Sequence, residues 1–310
     1  MENNTTGTFL ACPSCGANVH FPNHVISDKC SYCGSTLINK NSSDYQMPDH
    51  IVPFELSQES TRNIFQGWIK NLWFAPNELK YFVNSINELK ACNVPFWSFS
   101  ANVQANYSGE RGSHYYERHT KIVNDRQVQT KERRTRWHHV SGSVQYSFNH
   151  HLELAQTILP NSLVDDLGGW DLSKCKKFDP NNIIGSQSLF ANISLDSAWN
   201  NFVNYANQKI AIKIKQDIGG DEQRILSKNM DIFNKQCTQI AVPIWIGTYK
   251  LNNKTYRVCI NGQNGKVDAE RPYSWFKIGS LITAIGLSIA GIVIATNPQY
   301  LAKIKILLGI

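Results

Sequence analysis

The most constraining feature of the chain is "CPSCGANVHFPNHVISDKCSYCG", residues 12–34, in which two CxxCG steps stand with fourteen residues between Cys15 and Cys30. A CxxC step lets two thiolates of one tight turn reach the same metal. Gly16 and Gly34, one after each pair, let the backbone close around the sulfurs. Four thiolates from two such steps match tetrahedral Zn²⁺, and the spacing predicts a zinc ribbon held by Cys12, Cys15, Cys30 and Cys33. With all four positions filled by protein, no position is left for a catalytic water, so the site is structural. A module this small has little apolar core, so metal binding and folding are one event. His20 and His24 lie in the intervening loop and read as ordinary loop residues beside four available cysteines.

Zinc ribbons often hold nucleic acid, but this one is poorly equipped to do so. Residues 1–50 carry two basic side chains, Lys29 and Lys40, against four acids, Glu2, Asp28, Asp44 and Asp49. Non-specific nucleic-acid affinity comes largely from Lys and Arg neutralising phosphates. The ribbon therefore reads as a structural or protein-interaction module. The whole chain's formal charge of +7 over 310 residues is located elsewhere. The remaining cysteines, Cys92, Cys175, Cys237 and Cys259, are scattered singly and form no disulfide framework. The start, MENNTTGTFL, lacks the basic and apolar run of a secretory signal, so the sequence predicts a cytosolic soluble part with reduced thiols.

Residues 39–50, "NKNSSDYQMPDH", read as a polar linker after a ribbon at 1–38. A larger domain at 51–274 follows. Ser57 is a helix N-cap signal, and Ile64, Phe65, Trp68, Ile69 and Leu72 recur at helical spacing to about Trp73. Two distant segments, "NVPFWSFSANVQANYSG" from Asn93 and "AVPIWIGTYKLNNKTYRVCINGQNGKV" from Ala241, open alike and then alternate as strands. They predict a weak internal duplication, with Trp97 and Trp245 in the core and turns at Asn252-Asn253 and Asn264-Gly265. Ser194 to about Gln216 reads as an amphipathic helix with Trp199, Phe202, Val203, Ala206 and Ile210 inward, stopped by Gly219-Gly220.

Between these units lies a basic stretch. Glu110 to Trp137 holds eight Lys/Arg (Arg111, Arg118, Lys121, Arg126, Lys131, Arg133, Arg134 and Arg136) and four acids, around Asn124-Asp125 as a turn signal. The alternation predicts a long hairpin. Its plainest use is a solvated ribbon with cross-strand ion pairs; the sharper one is a basic face meeting anionic lipid headgroups or an acidic partner. No catalytic constellation accompanies it. "NGQNGKV" lacks P-loop spacing, with Val267 where the magnesium-binding hydroxyl belongs. The His138-His139 and His150-His151 pairs would point to opposite faces of a strand. The sequence argues for no enzyme.

Residues 278–296, "IGSLITAIGLSIAGIVIAT", are nineteen uncharged residues, approaching the ~30 Å hydrocarbon core at about 1.5 Å per residue. Trp275, Phe276 and Lys277 form an interfacial belt, and Gly286/Ala290 and Gly291/Ala295 are spaced for two copies to pack closely. The 275–310 segment is thus expected to be a single transmembrane helix and short tail, with the soluble part facing the cytoplasm at the cell membrane. The fold class expected is α+β: an N-terminal zinc ribbon, a mainly antiparallel sheet domain with packed helices, and one C-terminal transmembrane helix.

Through "CPSCG…CSYCG", "HIVPFELSQE", "FAPNEL", "VPFWSFSANVQANYSGERG", "RTRWHHVSGSVQYSF", "AVPIWIGTYKLNNKTYRVCINGQNGKV" and "RPYS", the chain resembles a group of bacterial zinc-ribbon membrane proteins. Members are often labelled helicase-like, primosomal or phage replication proteins on the strength of the ribbon. Some are membrane anchors for phage-shock protein A or flotillin-like (SPFH) proteins. The resemblance implies such protein partners here and a scaffold role in membrane stress or maintenance. Where the group would carry acidic residues after "VQYSF", this chain has Asn149-His150-His151. The alternative is a membrane-tethered, nucleic-acid-binding replication accessory without helicase activity. Its support is the basic hairpin; the acidic ribbon and the missing ATPase motifs count against it.

Overall fold

A computed structural model describes residues 7–39, 47–72, 87–123, 126–251, 254–270 and 275–296. "FAPNEL", "RPYS", the Asn252-Asn253 turn and most of the linker lie outside the described residues, as does the tail after Thr296. The architecture is α+β, with mostly antiparallel sheet. The chain divides into two compact units, the first made of 1–54, 92–161 and 170–244, the second of 55–91, 162–169 and 245–310. Two long strands, β6 (Asn87–Val123) and β10 (Glu222–Leu251), contribute to both.

The first unit begins with the cysteine module. β1 (Gly7–Ala11) pairs antiparallel with β2 (Asn18–Pro22), and β3 (Val25–Lys29) pairs antiparallel with β4 (Thr36–Ile38). β3 also pairs with β9 (Gln187–Leu189), with Val25 opposite Leu189 and Ser27 opposite Ser188. The cysteine module thereby becomes part of a larger sheet. Ile26 packs in a buried cluster with Ile51, Ile183, Phe190 and Ala241. β5 (His50–Ile51) runs parallel to β10 at Ile240–Ala241, and the Val52 amide donates to the Ala241 carbonyl at 2.9 Å.

β6 and β7 (Arg126–Leu154) form one long antiparallel ladder from Phe96↔Leu154 to Val123↔Arg126, as the charge alternation predicts. Residues 124 and 125 lie outside the described residues. The ladder shifts register between Phe99 and Ala101, where His150 adopts φ +53° and its amide donates to Ser100 Oγ at 3.0 Å. This β-bulge falls on the Asn149-His150 pair and reverses the inside–outside parity of β7 beyond it.

One face of this ladder is covered by a helix of 24 residues, α2 (Leu195–Ile218). It is named after α1 (Gln58–Lys70) of the second unit. Ser194 caps α2 by accepting from the Ser197 amide, and Gly219 ends it at φ +65°. Ala198, Phe202, Ala206, Ile210, Ile214 and Ile218 are fully buried on one stripe against Phe99, Ala101, Val103, Ala105 and Tyr107 of β6 and Phe148 of β7. Trp199 sits at the margin of this core, half-buried, with its ring 5.5 Å from Phe99.

In the second unit, Ser57 Oγ accepts from the Ser60 amide at 3.2 Å to start α1, which buries Thr61, Phe65 and Ile69. β11 (Lys254–Asn261) pairs antiparallel with β12 (Val267–Ala269) across a turn in which Gly265 has φ +75° and donates to the Asn261 carbonyl. A β-carbon there would meet Ile64 Cδ1 at 2.7 Å and require that side-chain tip to shift, while the left-handed backbone itself selects glycine. α3 (Trp275–Thr296) is a helix of 22 residues. Among the described residues no helix is long and apolar enough to cross a membrane. The side chains described in α3 are those of residues 279–289, 292 and 296, a shorter run than the ~20 residues a span requires.

Candidate metal centre

Each CxxCG step folds into the same turn. The Gly16 amide donates to the Cys12 carbonyl at 2.8 Å and the Gly34 amide to the Cys30 carbonyl at 2.9 Å. Cys12 N donates to the Ala17 carbonyl at 2.8 Å and Cys30 N to the Ser35 carbonyl at 2.7 Å, closing the two turns alike. Gly16 and Gly34 both sit at φ +74°, the left-handed conformation these turns require. Cys12 and Cys30 are buried, while Cys15 and Cys33 are exposed.

The two turns bring the four sulfurs within 4.8 Å of one another. Cys12 Sγ lies 3.6 Å from Cys33 Sγ, and Cys15 Sγ lies 3.8 Å from Cys30 Sγ. A tetrahedral four-thiolate site with metal–sulfur bonds of about 2.3 Å has sulfur–sulfur edges of about 3.8 Å. The donor set therefore fits a four-coordinate metal ion with little rearrangement, and the four cysteines could hold one.

Ser35, a residue the cysteine spacing alone does not single out, completes the site. Its hydroxyl lies 3.2 Å from Cys12 Sγ and 3.0 Å from Cys33 Sγ. The Ser35 hydroxyl holds the Cys12 thiol down at about 6 and also lowers Cys33. Cys15 behaves oppositely. The Ala17 amide favours its thiolate, but the Cys33 sulfur, burial, and the Cys12 and Cys30 sulfurs outweigh it and push it up to about 12. Four thiolates this close repel one another, so full ionisation calls for a cation among them. The only signal for Ser35 in the sequence is its place directly after the second CxxCG, where its hydroxyl can turn back onto the sulfurs.

The eight basic residues of the hairpin are divided by the ladder's register. Arg111 Nε donates to the Ile218 carbonyl and so caps the end of α2. Arg134 lies 3.4 Å from Glu117 and 3.3 Å from Glu132, and Arg136 sits 5.0 Å above the Tyr115 ring. These three share the α2 side of the ladder. Arg118, Lys131 and Arg133 fall on the opposite side and are exposed. Lys121 and Arg126 lie within β6 and β7, paired with Val128 and Val123, and their side chains are outside the described set.

The chain is similar to YdjG, an uncharacterized protein of Bacillus subtilis (strain 168), with 22% identity over 259 residues covering 81% of this chain and 72% of YdjG. No known protein family's profile matches the chain. No solved structure matches it.

Proposed function

We propose that the chain is a membrane-anchored zinc-ribbon adapter that recruits protein partners at the cytosolic face of the membrane. The observation that carries this reading is α3. Leu281, Ile282, Ile285, Leu287, Ile289 and Ile292 are all exposed along it. Its hydroxyls turn inward on the helix: Thr283, Ser288 and Thr296 donate to the carbonyls of Gly279, Ala284 and Ile292 at 2.8–2.9 Å. A helix that satisfies its own polar groups and offers apolar side chains outward is suited to lipid. The nineteen uncharged residues 278–296 supply the length. Zinc is the ion we assign to the four-thiolate site, because two CxxC turns closing a tetrahedral set of sulfurs is the common arrangement of structural zinc.

A closed four-thiolate site gives the metal no reaction of its own, so the ribbon's use lies in its folded surface. That surface displays Phe9 and Tyr32, 71% and 74% exposed. Confinement to the bilayer would raise the effective concentration of this surface for a peripheral partner. The partner class favoured is a membrane-stress scaffold of the phage-shock protein A or SPFH type. In detergent-solubilised membranes, the full chain should co-purify such a protein. Cys12→Ser with Cys15→Ser should abolish the co-purification while the chain stays in the membrane fraction. If the full chain instead binds DNA at near-physiological salt and the double variant loses that binding, the replication-accessory reading replaces this one.

A further inference from the structure

The β6–β7 ladder sorts its charges by face, which a count of its charges does not show. From Ala101↔Phe148 to Thr120↔Gln129, the two residues of a pair lie on the same face of the ladder. On the α2 side lie Glu117 and Glu132, directly opposite each other. Between them they hold Arg134 at 3.3–3.4 Å and His119 at 3.4 Å, and Tyr115 donates to Glu117 at 3.1 Å. Each carboxylate of this network thus has a basic neighbour.

The other face is arranged differently. Arg118 stands directly opposite Lys131, and the next pair on that face is Tyr116 with Arg133. Like charges placed opposite each other destabilise a ladder. Among the described residues, neither Arg118 nor Lys131 has an acidic partner within 4 Å. The carboxylates near the group are Asp221, which accepts from the His114 amide at 2.7 Å, and Glu222 of β10. Glu222 accepts from Thr135, pairs with His114 at 2.7 Å, and is held below the usual carboxylate range first by the His114 hydrogen bond, then by Thr135, with Arg133 a smaller contribution. Two unpaired positive charges remain. Tyr116 is 65% exposed beside them.

Towards the middle of the ladder this same face is uncharged. It carries Asn102, Gln104 and Asn106 on β6, facing Ser147, Gln145 and Ser143 on β7. Glu110, further along, is matched by Arg224 at 3.5 Å. A face that is uncharged along its middle, basic at one end and tipped by an exposed tyrosine is complementary to a surface of anionic headgroups. A nucleic acid would call for basic groups along the whole face or several stacking aromatics, and this face has one exposed tyrosine at one end.

We propose that Arg118, Lys131 and Arg133, with Tyr116, form a contact site for the phosphate headgroups of anionic lipid, on the ladder face away from α2. The proposal deepens the membrane reading above and rests on it for the choice of lipid. Each unmatched basic residue near such a surface raises partition about fivefold at moderate salt. The Arg118–Lys131 repulsion is relieved when a phosphate sits between them.

The test uses the full chain reconstituted into phosphatidylcholine vesicles with and without phosphatidylglycerol. The readout is acylation of the Lys131 amine followed by mass spectrometry. Labelling of Lys131 should fall at least threefold in the phosphatidylglycerol vesicles and return in about 1 M salt, where the screening length is about 3 Å. Lys213, on α2 and thus on the other side of the ladder, should keep its reactivity. Arg118→Gln with Arg133→Gln should remove the protection of Lys131 without lowering the thermal midpoint, since both side chains are exposed and one like-charge pair is relieved. Equal Lys131 labelling in both vesicles overturns the proposal, as does protection by DNA in the absence of anionic lipid. If the chain fails to float with neutral vesicles, the anchor reading fails separately. The site then stands if the chain still sediments with phosphatidylglycerol vesicles alone, and falls if it does not.

Discussion

Cys30→Ser should leave the full chain with less than a tenth of a metal ion, where the unmutated chain should hold one. It should also destabilise more than the ribbon. Structural zinc sites in small modules contribute about 10–16 kcal/mol of apparent folding free energy, nearly all of the module's stability. In this chain the effect has a route outward. Cys30 directly follows β3, β3 pairs with β9, and Ile26 is 1% exposed in the cluster with Ile51, Ile183, Phe190 and Ala241. Loss of the metal frees β3 and opens that cluster. A loss of about 3 kcal/mol from the first unit corresponds to a fall of roughly 6–12 °C in its midpoint. Calorimetry of the chain with and without the substitution checks this. A variant without metal whose sheet melts unchanged would show that β3 holds to β9 independently of the site.

Phe202→Ala should be the most damaging single change in the core. The Phe202 ring lies 5.2 Å from Phe99, 5.3 Å from Phe148 and 5.2 Å from Trp199, and its side chain is fully buried. Truncating such a residue costs about 3–5 kcal/mol through lost transfer energy and the cavity left behind. Few alternative packings are open to the rings around it, because α2 covers this face of the ladder from Phe99 to Tyr107. Leu226→Ala, at a position 58% exposed, should change stability by no more than about 0.5 kcal/mol. Denaturant unfolding of the two variants separates them. Similar midpoints would mean that α2 is not the lid of this core.

Much of the local architecture is written in short-range signals. Ser57 and Ser194 cap α1 and α2 as their hydroxyls predict, Gly219 stops α2, and Phe202, Ala206 and Ile210 point inward at helical spacing. Trp199 and Val203 lie at the edge of that stripe, because the buried residues recur at i+4 from Ala198 to Ile218 and the stripe is narrow. Trp97 and Trp245 are both buried, 9% and 8% exposed. The cysteine spacing located the four-sulfur cluster because a CxxC turn is a local geometry.

What the chain concealed is long-range. The pairing of β3 with β9 joins residues about 160 positions apart and has no local signature. The sorting of hairpin charges between the two faces depends on register. With a two-residue connection at 124–125, paired positions sum to 249, which places Arg118 against Lys131. That arithmetic was available in the sequence once the turn was recognised. A count of eight basic residues against four acids hides it.

The claim on which the functional account depends is that α3 holds the chain in the bilayer. Alkaline carbonate extraction of membranes from cells expressing the full chain, beside a chain ending before Trp275, measures this directly. The account predicts that the full chain stays in the pellet through carbonate and high salt, and that the shortened chain is recovered in the supernatant. Release of the full chain by carbonate, or retention of the shortened one, would contradict it.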